Sequence, residues 1–176
     1  TGLPKPKKRQ VPETAGEEIT INTPLYSAKI SNRGGGSVIG FALNELNANN
    51  YKYLGGFNHF GEYVKDEPVV LFPVENNYCS PCLSSYSPKD QEYLLFNSAF
   101  SRTSSGPNTY SIKDTDSLNL LFEFVHESGL KITKEIAFNG SSYEIDHHFY
   151  LENPSAFWGE SFEVRWQGGL SPTEKV

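Results

Sequence analysis

The chain has 176 residues, the length of one domain, and a net charge of −6 from 15 basic and 21 acidic side chains. That balance argues against the positive excess by which proteins grip a phosphate backbone, so nucleic acid is not an expected partner. With 14% aromatic residues the chain is too rich in Phe and Tyr to stay disordered. No run approaches the ~20 apolar residues that cross a bilayer. There is no Met, even at position 1, and no apolar signal run, which reads as a piece cut from a longer protein.

Charge sets the first segment apart. Lys5, Lys7, Lys8 and Arg9 give the first ten residues +4 and leave −10 for the remainder. Pro4, Pro6, Pro12 and Gly16 break any helix there, so residues 1–17 are expected to be a basic, Pro-rich linker, either a solvated tether or an arm for anionic headgroups. From Glu18 the pattern has period two, which puts alternate side chains on opposite faces of a strand. Tyr26, Ala28 and Ile30 share one face. After Asn32-Arg33-Gly34-Gly35-Gly36, Ile39, Phe41 and Leu43 alternate again, predicting a hairpin. Residues 44–117 are dense in Asn, Ser, Gly and Pro, with short strands predicted at 69–72 and 93–96. Leu118, Leu120, Phe122 and Phe124 form the next run. Leu130, Ile132, Ile136 and Phe138 follow, then Asn139-Gly140, then Tyr143, Ile145, His147, Phe149 and Leu151. Asn-Gly between alternating runs predicts a hairpin with a type I′ turn. Phe162, Val164 and Trp166 predict one more strand before Gly168-Gly169.

No window of helical length shows apolar positions at i, i+3, i+4 and i+7 without a Gly or Pro break. The predicted class is mainly β. Strands apolar on one face need a second layer, so the expected architecture is an antiparallel β-sandwich.

Few residues offer chemistry. Cys79-Ser80-Pro81-Cys82 is the only cysteine pair, and three readings stand open: a local disulfide, two free thiols, or redox or metal work. A redox dithiol favours a helix N-terminus in a βαβ context, which is missing, and zinc favours four ligands. His147 and His148 follow Asp146, but adjacent strand residues point to opposite faces, so one metal could not easily take both. His147 falls on the apolar side as a core histidine. His126 continues the register of Phe122 and Phe124, and His59 sits among loop aromatics. Neither has a carboxylate partner by spacing. Asn139-Gly140-Ser141 fits the glycosylation triplet, but its turn role accounts for it. No catalytic, cofactor or metal constellation is expected.

Several segments together resemble a known family. Leu25 to Ser31, the glycine turn and Val38 to Leu43 look like the opening of the large periplasmic domain of YidC-type membrane protein insertases. Gly129 to Phe138, Tyr143-Glu144-Ile145-Asp146, Glu152-Asn153 and Trp166-Gln167-Gly168-Gly169-Leu170 are similar to its later strand-turn-strand and Trp-x-Gly-Gly-Leu segments. The resemblance covers about residues 18–170, thinly between 55 and 117. It implies a β-supersandwich similar to the galactose mutarotase fold, held in the periplasm and tethered to the bacterial inner membrane. The domain would span 18–176, this chain holding its front part. It also implies an oxidising compartment, in which Cys79 and Cys82 would be bonded or inert. Expected partners are secretion-channel components and nascent membrane proteins, with no cofactor. No insertase site carries over, because that machinery lies in membrane helices. The expected function is a non-catalytic one that assists insertion; the rival reading is a carbohydrate-binding or carbohydrate-modifying sandwich, with Tyr, Phe and Trp stacking on sugar rings.

Overall fold

The computed structural model describes residues 16–44, 53–58, 62–72, 78–87, 91–157 and 161–170. The basic head up to residue 15, His59 and the last six residues lie outside them. Period-two patterning is realised as 14 strands, and one 3-10 turn, Pro154–Ala156, is the helical content of the described residues. None of their helices is long and apolar enough to cross a membrane.

The first large sheet holds β1 (Glu18–Asn22), β2 (Tyr26–Ser31), β3 (Ser37–Leu43), β6 (Val70–Phe72) and β10 (Thr109–Ser111), in the order β10-β1-β2-β3-β6. The second holds β9 (Ser101–Arg102), β11 (Ser117–Val125), β12 (Lys131–Asn139) and β13 (Ile145–Glu152), in the order β13-β12-β11-β9. β7 (Cys82–Ser87), β8 (Glu92–Leu95) and β14 (Phe162–Arg165) form a third sheet, and β4 (Leu54–Phe57) pairs with β5 (Tyr63–Pro68). All named pairs are antiparallel except β1 with β10.

The two large sheets face each other across a single core. Ile19 and Ile21 of β1, Tyr26, Ala28 and Ile30 of β2, Leu120 and Phe122 of β11, and Ile132, Ile136 and Phe138 of β12 bury there together. Burying each such side chain removes apolar surface worth about 1.5–3 kcal/mol from water. This is the sandwich that the alternation required, closed on one flank by Leu83, Phe96 and Phe157.

Three local expectations change. In the β2–β3 hairpin Lys29 pairs with Gly40 and Ile30 with Val38, so Ile39 is an extra, bulged residue. The bulge reverses the phase ahead of it: Val38 joins the core with Phe41, and Ile39 buries outside that cluster. The Asn139-Gly140 turn is not a two-residue I′ turn. The ladder closes at Phe138 and Ile145, so six residues make the connection. Asn139 Oδ1 instead accepts from the Ser141 N–H at 2.9 Å, an Asx-type bond that favours the longer loop. Val164 points outward, 63% exposed, and Trp166 falls just past the end of β14.

The glycine turn is fixed by packing as well as by φ. Gly36 has φ 94°, and a Cβ there would press into the Ile136 side chain and the Phe122 ring. Gly129 has φ 90° with open space around the same position. Gly36→Ala should therefore cost about 3 kcal/mol, combining the left-handed backbone with overpacking, and Gly129→Ala about 1 kcal/mol from backbone alone. Urea unfolding of both variants measures the difference.

Candidate functional site

Between Ile132 and Ile136 the inward phase of β12 passes through Lys134, which is wholly buried. Its Nζ donates to the carbonyl oxygens of Pro81 at 2.6 Å, Gly36 at 3.1 Å and Gly34 at 3.4 Å. The Phe149 ring centroid lies 5.0 Å away. Three donors thus meet three acceptors, without a carboxylate partner among the described residues. Burial pushes the ammonium down to about 7. The acceptors exist because the glycine turn, with φ 63°, 70° and 94° at Gly34, Gly35 and Gly36, bends its backbone over β12.

The third acceptor belongs to a covalently closed loop. Cys79 and Cys82 are joined by a disulfide and wholly buried. Ser80 O accepts from Val38 N at 2.8 Å, and Cys79 O accepts from Gln167 N at 2.7 Å. Ser80 Oγ donates to Gln167 O at 3.0 Å. Together with Lys134, these bonds tie the loop to β3, to the segment after β14 and to β12.

The histidines separate as strand geometry demands. His147 points inward with Ile145 and Phe149, while His148 is exposed. Burial above all, then the nearby Lys134 and His148, pushes His147 down to about 3. It is neutral at physiological pH and a poor proton donor; its buried Nδ1 has no hydrogen-bond partner. His126 caps the turn after β11, its Nδ1 accepting from Ser128 N at 3.2 Å, and its ring packs against Phe157. His59 lies outside the described residues, and no metal-holding group of His, Cys, Asp or Glu forms among those described.

Next to His147 the sandwich opens into a cleft of about 470 Å³. Val38, Phe41, Leu43, Leu71 and Phe72 form one wall; Ile145 and His147 of β13 form the other; Tyr53, Tyr143 and Trp166 complete it. The Trp166 ring sits 5.6 Å from that of Phe72, and Tyr143 hydrogen-bonds Tyr53. Among the described residues no charged side chain lines it. The bulge at Ile39 makes this wall by turning Val38 inward, and a second register shift leaves Leu71 as the extra residue opposite Phe41 and Ala42. Five separated segments meet here, so no local sequence pattern announces the cleft. The Lys134 cradle did leave a signal, a lone Lys at the inward phase of an apolar strand.

Lys134→Met should destabilise the fold by about 2–4 kcal/mol, because it strands three buried carbonyls. The unfolded chain keeps the lysine proton to about pH 10, whereas the folded chain releases it near 7. Between those values the unfolded state binds more protons, so the stability of the wild type relative to Lys134→Met should rise with pH and level off above that window. Denaturant titrations at pH 6, 8 and 10 read the trend. Unfolding without reductant should expose no titratable thiol, since both cysteines are consumed in the bond.

A search of curated proteins finds no match to the chain. The family model described as the YidC periplasmic domain matches residues 18–172, from the first residue of β1 to beyond the cleft-lining Trp166. Spanning both faces of the sandwich, the glycine turn, the disulfide loop and the β12–β13 ladder, that match shows that the chain belongs to the YidC periplasmic domain family.

Proposed function

We propose that this domain, as part of a membrane protein insertase, has no catalytic step of its own. It assists insertion from the periplasmic side by docking secretion-channel components or nascent membrane proteins in its cleft. The observation that carries this reading is the uncharged, largely aromatic and aliphatic lining of a cleft of about 470 Å³, which suits apolar side chains from another chain. Two further features support it. The half-buried His147 is neutral, and the −10 carried by the chain beyond its first ten residues gives no attraction to anionic headgroups. A carbohydrate is the weaker occupant, because reading hydroxyls takes several convergent polar groups, and among the described residues this lining offers the tips of Tyr53, Tyr143, His147 and Trp166. Residues 1–17 act in this reading as the linker and the rest as the docking body.

The test is complementation of an insertase-depleted strain by the parent protein lacking residues 18–170. Near-normal growth and substrate insertion, with several-fold less co-purified secretion channel, is the expected outcome. Loss of insertion by a stably expressed deletion would show that the domain carries the essential step.

A further inference from the structure

We propose that the Cys79–Cys82 bond is a redox clasp on the cleft. Oxidised, its loop holds Val38 and the segment carrying Trp166 in place; a dithiol reductant releases both while the two large sheets stay folded. The clasp concerns what shapes the cleft and does not depend on what docks there.

The bond spans a separation of three residues. In the chain-entropy picture a cross-link stabilises a fold by shrinking its unfolded ensemble, and the effect is smallest for the shortest loops. A clip this short therefore acts where it lies. Three successive carbonyls leave the loop in three directions: Cys79 O accepts from Gln167 N at 2.7 Å, Ser80 O from Val38 N at 2.8 Å and Pro81 O from Lys134 Nζ at 2.6 Å. Closing the ring between the first and last residues of the loop fixes the directions of these carbonyls relative to one another.

Two of the three donors belong to the cleft. Val38 lines it, and Gln167 follows Trp166, which lines it too. The ladder between β7 and β14 ends at the Cys82 and Arg165 pair, so Trp166 lies beyond it and is positioned through Gln167. Ser80 Oγ, donating to Gln167 O at 3.0 Å, ties that residue to the loop a second time. The large sheets are held otherwise. β11 and β12 join through nine register pairs and β1 and β2 through five, and Lys134 keeps the carbonyls of Gly34 and Gly36 when that of Pro81 departs.

Both sulfurs are wholly buried, so a reductant reaches them when the loop lifts, which breaks the bonds to Val38, Gln167 and Lys134. Reduction and release are thus one event. One thiolate of the dithiol attacks a cysteine sulfur and breaks the S–S bond; its second thiolate closes the reductant's own disulfide and frees that cysteine. Two electrons pass from the dithiol to the loop, and its two thiol protons end on Cys79 and Cys82. Reoxidation by a disulfide runs the same exchange backwards and sets the walls again.

The test follows amide exchange by mass spectrometry in the parent insertase in detergent micelles, with and without dithiothreitol. On reduction the amides of Val38 and Gln167 should exchange at least ~10-fold faster, while those of Ile132 and Ile136 in β12 change by less than about two-fold. Removal of dithiothreitol and addition of oxidised glutathione should restore the slow exchange. The double variant Cys79→Ala/Cys82→Ala should show the fast pattern at Val38 and Gln167 and no response to dithiothreitol. Loss of protection throughout β12 on reduction would overturn the clasp and leave the bond a support of the whole fold. Unchanged exchange at Val38 and Gln167 in the reduced protein or in the double variant would also overturn it, as would a bond that dithiothreitol cannot reduce in the folded protein.

Discussion

One buried ammonium organises this fold. Lys134 reaches from the second sheet to three carbonyls, two in the turn between β2 and β3 and one inside the disulfide loop. A charge taken out of water is costly unless its donors are all used, and here the three acceptors come from backbone that cannot swing away. The glycines of the turn are there for that reason. Side chains at Gly34 or Gly36 would collide with the disulfide loop or with the packed face of β11 and β12, and would keep the turn off the lysine. The lysine, the triple glycine and the Cys-Ser-Pro-Cys loop are therefore one device, distributed over a hundred residues of chain.

The two flanks of the sandwich do different work. On the side of the lysine, the turn and the loop pack closely, and Cys79, Ser80, Ser37 and Cys82 are almost entirely withdrawn from solvent. On the side of β6 and β13 the sheets part, and their inward residues line an apolar recess. The closed flank fixes the spacing of the sheets, and with it the width of the open one. His147 sits between them, its charge suppressed by burial and by the lysine, so the wall of the recess stays uncharged at neutral pH.

Much of the fold was legible because period-two patterning needs only neighbours in sequence. The runs at Tyr26–Ile30, Leu118–Phe124 and Ile145–Leu151 became strands with the apolar side inward. Opposite orientations for His147 and His148 followed from the same rule. What could not be read depends on partners distant in sequence. Val38 takes the core position expected of Ile39 because a bulge shifts the phase, and the bulge answers to β2. The I′ signal of Asn139-Gly140 gave way to a longer loop in which Gly140 N bonds Asp116 O across the sheet. The recess was invisible for the same reason, since Tyr53, Leu71 and Trp166 come together only after three sheets are assembled. A charged residue inside an apolar run reads as an interruption, and nothing local marks Lys134 as a core residue, because its acceptors lie 53 to 100 residues away.

The parallel pairing of β1 with β10 has a consequence for the order in which the domain can form. β1 hydrogen-bonds β2 as soon as the first hairpin exists, but its other edge waits for Thr109–Ser111, and Ile19 and Ile21 dry only when β11 and β12 cover them. A chain delivered from its N-terminus must hold a hairpin with one bare edge and one bare face while some ninety further residues emerge. Residues 44–117, whose described part holds the short strands β4 to β10, emerge during that interval. Lys134, a hundred residues after Gly34, then closes the glycine turn.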